Sequence, residues 1–156
     1  MAIRCASKAI IISNNCVLLN RCVRGDGSVY YNLPGGGQHQ YETMEQAVIR
    51  EVKEETGYDV RILRFAALAE EIDTDEKLRK SYPSYTHRIM HIFLAEIEGD
   101  RKELPSEKDF EMEKSEWIPV DEISELPEIC PPSLRNKLAE ILAADAPVYL
   151  GTEYLD

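Results

Sequence analysis

The spacing of apolar and polar residues predicts short strands ahead of a single well-marked helix. Apolar runs rich in β-branched residues cover residues 6–12 and 16–23, and the turn-forming residues 13–15 separate them. A third apolar run, 29–33, follows a glycine-containing connection at 24–28 that is typical of a hairpin. We therefore expect the start of the chain to be mostly β-sheet.

The helix is predicted by the residues at its two ends. Thr43 is followed three positions later by Gln46, which makes a capping-box pair, so the helix is expected to begin near Met44. Gly57 stands where a helix often ends, because glycine adopts the left-handed backbone conformation of that position without strain. We expect one continuous helix between these two signals.

After the helix, the pattern predicts further strands separated by polar connections. Strands are expected at 60–67, 88–97 and 117–120, and the second is apolar on both faces, as in the centre of a sheet. The polar segment 70–85 is predicted as a loop or a ragged hairpin, and the acidic segment 101–116 as a loop.

The C-terminal part is expected to add a helical turn and one last helix. The turn covers residues 121–126, and Ser133 is predicted to cap the helix. The apolar face of that helix holds Leu134, Leu138, Ile141 and Leu142. The tail, 147–156, carries no clear pattern.

Length and composition indicate one globular domain. A chain of 156 residues with 44% apolar residues and no repeat or linker predicts a single domain over residues 1–156, of the α/β (α+β) class with a curved mixed sheet. No apolar run reaches the roughly 18 residues of a membrane span, and the N-terminus lacks the apolar region of a signal peptide. Cys16 and Cys22 lie in apolar sequence and are expected to be reduced core thiols of a cytoplasmic protein.

The charge of the chain constrains its partners. The formal net charge is −11, and no basic stripe interrupts the acidic surface, which argues against a long nucleic acid as partner. The same charge would repel a polyphosphate, unless bound metal ions reverse the field locally. We interpret the acidity as solubility combined with a metal site.

Three glutamates of the predicted helix are the strongest chemical signal. At about 100° per residue, Glu51, Glu54 and Glu55 fall on the apolar side of the helix, whereas Arg50 and Lys53 are assigned to its solvent face. The acids repel one another by about 0.2–0.5 kcal/mol per pair. Glu54 and Glu55 also lie in the last turn, where the helix dipole favours cations. Such a helix requires a compensating charge, and a hard divalent cation with oxygen ligands supplies one.

The segment 36–58 resembles the Nudix box, the signature of the Nudix hydrolase family. The pattern is Gly, five residues, Glu, seven residues, Arg-Glu-aliphatic, one residue, Glu-Glu, one residue, Gly-aliphatic. In register with it stand Gly36, Glu42, Arg50, Glu51, Val52, Glu54, Glu55 and Gly57. Leu33-Pro34-Gly35 precede the box, as they commonly do in the family, and the resemblance covers residues 33–58. Tyr58 departs from the last aliphatic position, and His39 and Tyr41 depart from looser habits of the loop.

The resemblance implies a fold, a reaction and a cofactor. The fold is the Nudix α/β/α sandwich, and the reaction is Mg²⁺-dependent hydrolysis of a phosphoanhydride bond in a nucleoside di- or triphosphate derivative, with Mn²⁺ as a substitute metal. The implied ligands are Glu51, Glu54, Glu55 and the carbonyl of Gly35. Gly36, Glu42 and Arg50 resemble the residues that brace the loop against the helix. The alternative is a catalytically weak Nudix-like module that binds or senses a nucleotide.

Candidate catalytic and substrate-binding residues follow from the same resemblance. Glu51 and Glu54 are expected to act in catalysis, and relatives also use a late loop glutamate, for which Glu111 is chosen, followed by Glu113. Arg21 is the candidate for phosphate binding, and an exposed strand arginine is the alternative.

The physiological substrate stays open at this level. Sequence features of relatives that act on ADP-ribose, on dinucleoside polyphosphates or on coenzyme A are not found around the box. The resemblance leaves open the small MutT-like group, which acts on nucleoside triphosphates, and also a nucleotide sugar or a capped RNA end as substrate. The oligomeric state is also open, a homodimer included.

Overall fold

The computed structural model describes residues 3–156, apart from the side chain of Arg101. Its strands and helices follow one another as β1 (Arg4–Ser13), β2 (Cys16–Val23), β3 (Val29–Asn32), β4 (Gly35–Gly37), α1 (Met44–Thr56), β5 (Tyr58–Asp73), α2 (Glu76–Ser81), β6 (His87–Lys102), β7 (Met112–Pro119), β8 (Ile129–Cys130), α3 (Leu134–Ala143) and β9 (Val148–Leu155). The 3₁₀ segment Val120–Glu125 occupies the place of the predicted helical turn.

The strands form one mixed sheet with β1 at its centre. The order is β8-β3-β2-β1-β6-β5-β9, with β4 paired to β1 and β7 paired to β2. β1 runs parallel to β6 and antiparallel to β2 and β4, and β5 runs parallel to β9. The predicted mixed sheet is confirmed, and the predicted strand over 16–23 has the bounds that the sequence indicated.

Helices cover the two faces of the central strands. On one face, Val48 and Val52 of α1 pack against Ala9 and Ile11 of β1. On the other, Leu138 and its neighbours on α3 belong to a second core. Full burial of an aliphatic side chain stabilises the fold by about 1.5–3 kcal/mol, so these two cores hold the helices in place. The α/β/α sandwich expected from the sequence is confirmed.

The segment 70–85 differs from its prediction as a loop or ragged hairpin. β5 continues to Asp73, because its main chain pairs with β6 on one side and β9 on the other. The helix α2 follows, and Asp75 caps it by accepting hydrogen bonds from the N–H groups of Lys77 and Leu78. The prediction was wrong here because the polar side chains of Glu70 and Glu71 interrupt the apolar pattern of a strand that lies inside the sheet, between β6 and β9.

The remaining differences concern the C-terminal half. The strand β7 begins at Met112, within the segment predicted as an acidic loop, and the tail forms β9. Ser133 does not cap α3 through its side chain: its backbone is already helical, and its N–H donates to Glu153 at 2.7 Å. The predicted apolar face of α3 is confirmed, with Leu134, Leu138 and Ile141 buried.

Two predictions from composition can be compared with the described residues. Within residues 3–156, no helix is both long enough and apolar enough to cross a membrane. The four cysteines all lie in this range and are free thiols; Cys22 is buried, whereas Cys16 is half-buried.

Candidate metal-binding active site

The glycine loop lies against β1 and the inner flank of α1. Gly35 pairs with Lys8 of β1 and has a φ of 127°, and a side chain on it would collide with the main chain of Ser7. A Cβ on Gly36 would lie 2.5 Å from Oε2 of Glu51. The absence of side chains at these two positions therefore lets the Glu51 carboxylate rest directly on the loop.

The two ends of α1 fix where its glutamates lie. Thr43 and Gln46 form the predicted capping box, with bonds of 3.1 Å and 2.8 Å between the side chain of each and the N–H of the other. Gly57 ends the helix with a φ of 77°. Because the helix is set at both ends, the three carboxylates take graded depths: Glu54 is the most exposed, Glu51 is largely covered, and Glu55 is buried at 3% exposure.

Arg50 is not on the solvent face, which corrects the helical-wheel assignment. Its side chain is 24% exposed and turns back towards the loop. Nε and Nη2 donate to the two oxygens of Glu42 at 2.8 Å and 2.9 Å, and Nη2 also donates to the carbonyl of Gly37 at 3.1 Å. A two-pronged bond to a carboxylate holds both groups in one geometry. Glu42 and Arg50 therefore join the loop to the helix.

The same guanidinium also supplies positive charge to the helix glutamates. Nη1 donates to Glu51 at 2.8 Å and to Glu54 at 3.1 Å. Hydrogen bonds from Arg50 hold the pKa of Glu42 down at about 2, and hydrogen bonding to Glu42 raises the pKa of Arg50. Part of the repulsion that the sequence predicted along α1 is thus offset within the chain itself.

Glu55 is supported by groups that sequence analysis missed. Its Oε2 accepts from the side-chain amide of Asn20 at 2.8 Å and from the N–H of Gly35 at 2.9 Å. Burial raises the pKa of Glu55 to about 7, against the opposing effects of the Lys8 charge and the Gly35 N–H. Lys8 donates to the carbonyl of Gly35, one of the expected ligands. The available signal was a polar side chain inside each apolar strand, at positions 8 and 20.

The donor set suits a hard cation, although its side chains do not surround one point. Among residues 3–156, no three acidic, His or Cys side chains converge as a metal cluster. Arg50 donates to one carboxylate oxygen of Glu51 and to one of Glu54. Both hydrogen bonds to the Glu55 side chain are accepted by the same oxygen, Oε2. Each carboxylate thus keeps one oxygen without a hydrogen bond in this part of the chain. Three such oxygens beside a glycine carbonyl match the ligand preference of Mg²⁺.

The acidic loop between β6 and β7 is tied to the end of α1. The N–H groups of Ser106 and Glu107 donate to the carbonyl of Glu54, and that of Glu103 donates to the carbonyl of Gly57. These bonds satisfy carbonyls that a helix end leaves free. They place the loop acids beside the carboxyl end of α1, where Glu54 and Glu55 lie.

The structure places Glu111 and Arg21 in other contacts. Glu111 has a φ of 70°, and its carboxylate accepts from the hydroxyl of Tyr30 at 2.9 Å. Arg21 on β2 forms an ion pair with Glu113. Asp109 does interact with one of the helix glutamates: after burial, the negative charge of Asp109 is a further cause that raises the pKa of Glu55. Sequence analysis did not single out Asp109, since nothing in the acidic run distinguished it.

The pH dependence of stability provides a test of the Glu55 environment. Between pH of about 4.5 and about 7, folded Glu55 keeps a proton that the unfolded chain releases. The free energy of unfolding of metal-free protein should therefore fall as the pH rises through this window, by on the order of 3 kcal/mol. Urea unfolding at several pH values measures the slope. Glu55→Gln should flatten it, whereas Glu45→Gln, at an exposed site on α1, should not; an unchanged slope in Glu55→Gln contradicts the assignment.

The fold and the candidate site together define a class of protein in which a mixed sheet between helices presents a glutamate-rich helix beside a glycine loop. The chain belongs to the Nudix family, because the NUDIX domain profile matches residues 4–140. It is accordingly a Nudix hydrolase. Nudix hydrolases generally use divalent metal ions.

Solved structures support the fold assignment. A mutator MutT protein from Bacillus halodurans superimposes with a TM-score of 0.68 at 23% identity, covering 97% of this chain and 90% of that one. A NUDIX hydrolase from Nitrosomonas europaea gives 0.69 at 20% identity, covering 99% and 80%. An ADP-ribose pyrophosphatase from Streptococcus suis gives 0.63 at 21% identity, covering 95% and 99%. A comparison with curated proteins gave no significant match.

Proposed function

We propose that this chain hydrolyses a phosphoanhydride bond of a nucleoside di- or triphosphate derivative with the help of Mg²⁺, for which Mn²⁺ can substitute. The observation that carries the proposal is the arrangement of Glu51, Glu54 and Glu55 at graded depths on one flank of α1, each with a carboxylate oxygen still free. With the carbonyl of Gly35 beside them, these oxygens would hold the metal. A small nucleotide is the expected partner, not a long nucleic acid.

Bound Mg²⁺ would neutralise charge on the phosphoryl oxygens and align them for attack by water. The residues of the chain prepare this arrangement. Because Gly36 has no side chain, the Glu51 carboxylate can lie against the loop. Arg50 holds Glu51 and Glu54 on the same side of the helix by bonding one oxygen of each, and the second oxygen of each remains available to a metal ion. Glu55 is held from β2 and from the loop, so its position is the most rigid of the three.

The general base is proposed to be a carboxylate beside the metal, and three residues are candidates. Glu51 is the candidate on α1. In the late loop, Glu111 was chosen from the sequence, and the structure adds Asp109. A base must lie within hydrogen-bond distance of the attacking water. The late loop is a suitable source of that base because its main chain is hydrogen-bonded to Glu54.

Paired substitutions in the loop distinguish these candidates. If Asp109 serves the site, Asp109→Asn should lower kcat by about 10²-fold and Glu111→Gln should change it little, because Tyr30 engages Glu111. The opposite ranking assigns the role to Glu111. If both variants keep the kcat of wild type, Glu51 is the remaining candidate for the general base. Thermal unfolding of each variant, with the exposed Glu107→Gln as control, shows whether a loss of kcat reflects loss of fold.

The reaction itself is tested with isotope-labelled water. Hydrolysis of a nucleotide panel in H₂¹⁸O should place the label on a phosphate product and identify the phosphorus that is attacked. Excess chelator should abolish turnover, and Mg²⁺ or Mn²⁺ should restore it. Label found only in a carbon-bound hydroxyl, or full turnover in chelator, rules out the proposed chemistry. Saturable nucleotide binding without turnover for any substrate would instead support the binding module.

A further inference from the structure

A cleft opens directly beside the candidate metal site. It has a volume of about 670 Å³ and is lined by Arg4 and Cys5 of β1, by residues 37–42 and by Glu51. The acidic wall is already partly compensated, since Arg50 engages both Glu42 and Glu51. A substrate bound at the glutamates would therefore extend into a space that an arginine also lines.

Arg4 differs from the other arginines of the described chain. Within residues 3–156 it forms no ion pair or side-chain hydrogen bond, and its guanidinium instead lies 4.4 Å from the centre of the Tyr85 ring. The other arginines with described side chains all have polar partners: Arg21, Arg24, Arg50, Arg61 and Arg88 form ion pairs, and Arg64, Arg79 and Arg135 donate to carbonyls. Among the arginines with described side chains, Arg4 alone therefore has no hydrogen-bond partner for its N–H groups within residues 3–156.

The surroundings hold the Arg4 guanidinium in place. A Cβ on Gly37 would lie 2.8 Å from Nη2, so the glycine makes room for the group at the end of β4. Stacking on Tyr85 holds the plane of the guanidinium from its face and leaves its N–H edge available. An arginine fork with free edges binds phosphate oxygens through two parallel hydrogen bonds.

We infer that Arg4 binds the group beyond the two phosphates that share the cleaved anhydride and selects substrates in which that group is anionic, as is the terminal phosphate of a nucleoside triphosphate that releases pyrophosphate. This inference rests on the proposed function and deepens it. The metal site compensates the charge of the phosphates that react, whereas Arg4 compensates the charge beyond them. A nucleoside diphosphate sugar, whose far group is neutral, would leave the guanidinium without a partner.

The kinetic test compares two substrate classes. Arg4→Gln should raise the KM for nucleoside triphosphates by about tenfold or more and leave kcat within about twofold, because the contact is made before and during the reaction alike. The KM for nucleoside diphosphate sugars should not change. Arg4→Lys should recover part of the loss, and Arg61→Gln, which removes an exposed ion pair on β5, is the matched control. Equal changes in KM for both substrate classes would overturn the inference.

A second readout does not depend on turnover. In metal-free protein, titration with inorganic pyrophosphate should shift the Nε–Hε NMR signal of Arg4 saturably, and this signal is identified by its loss in Arg4→Gln. An Arg4 signal that does not respond refutes the inference. If wild-type protein hydrolyses no anhydride, the proposed function fails, and the titration still decides whether Arg4 is an anion site. A native melting profile for Arg4→Gln confirms that both measurements report on folded protein.

Discussion

Replacing Glu54 with glutamine is expected to reduce kcat by roughly 10³-fold, because the loss of one metal-binding carboxylate removes several kcal/mol of charge stabilisation. Glu54 is the most exposed of the three acids, and within residues 3–156 its carboxylate accepts a hydrogen bond from Arg50 alone. The substitution is therefore not expected to disturb packing. Steady-state kinetics across a range of Mg²⁺ concentrations measures the effect, and the required Mg²⁺ concentration should rise together with the fall in kcat.

The same helix provides a control for this experiment. Glu45 lies in the first turn of α1, is exposed, and forms no ion pair among the described residues. Glu45→Gln removes the same charge from the same helix and should leave both kcat and the Mg²⁺ requirement unchanged. A Glu54→Gln protein with full activity at limiting Mg²⁺ would show that the glutamates of α1 are not the metal site.

Replacing Arg50 with methionine is expected to lower the free energy of unfolding of metal-free protein by about 2–3 kcal/mol. The side chain joins three carboxylates and the carbonyl of Gly37, so its removal leaves their negative charge uncompensated. The partial exposure of the group keeps the expected loss below that of a fully buried ion pair. In thermal unfolding this corresponds to a decrease in Tm of about 5–10 °C.

Mg²⁺ should restore part of the lost stability, because it binds the folded state and supplies the missing positive charge. The increase in Tm on adding Mg²⁺ should therefore be larger for Arg50→Met than for wild type. Arg50→Lys keeps the positive charge but loses the two-pronged hydrogen bonding of the guanidinium, so its increase in Tm on adding Mg²⁺ should lie between those of wild type and Arg50→Met. Arg61→Met, at an exposed ion pair, should leave Tm nearly unchanged. If Arg50→Met is as stable as wild type without metal, the contacts around Arg50 do not stabilise the fold.

The local features of the site could be predicted from the sequence. The capping box at Thr43 and the glycine at 57 set both ends of α1, and they act over only a few residues of chain. With the ends set, the helical repeat determines that Glu51, Glu54 and Glu55 share one flank. The preceding glycines belong to the same continuous segment. All parts of the candidate metal-binding motif thus lie close together in the sequence, which is why their spacing alone was informative.

Contacts between distant segments could not be predicted in this way. Asn20 reaches Glu55 across 35 residues, and this bond exists only because β2 lies beside the inner flank of α1. Arg50 was assigned to the solvent face by its position on the helical wheel. Its long side chain instead turns back to the loop and donates a hydrogen bond to Glu42. The tail carried no pattern, yet it forms β9 because the edge of β5 offers free main-chain groups.

The sequence by itself determined the candidate site: an acidic helix, a glycine loop and the arginine and glutamate that join them. The tertiary structure decided what surrounds those groups. Strand pairing brings Lys8 to the Gly35 carbonyl, the tie between the late loop and α1 brings Asp109 into range of Glu55, and the end of β4 leaves Arg4 facing the cleft. The physical reason is that helix geometry repeats every few residues, whereas strand register and side-chain direction depend on which distant segments pack together.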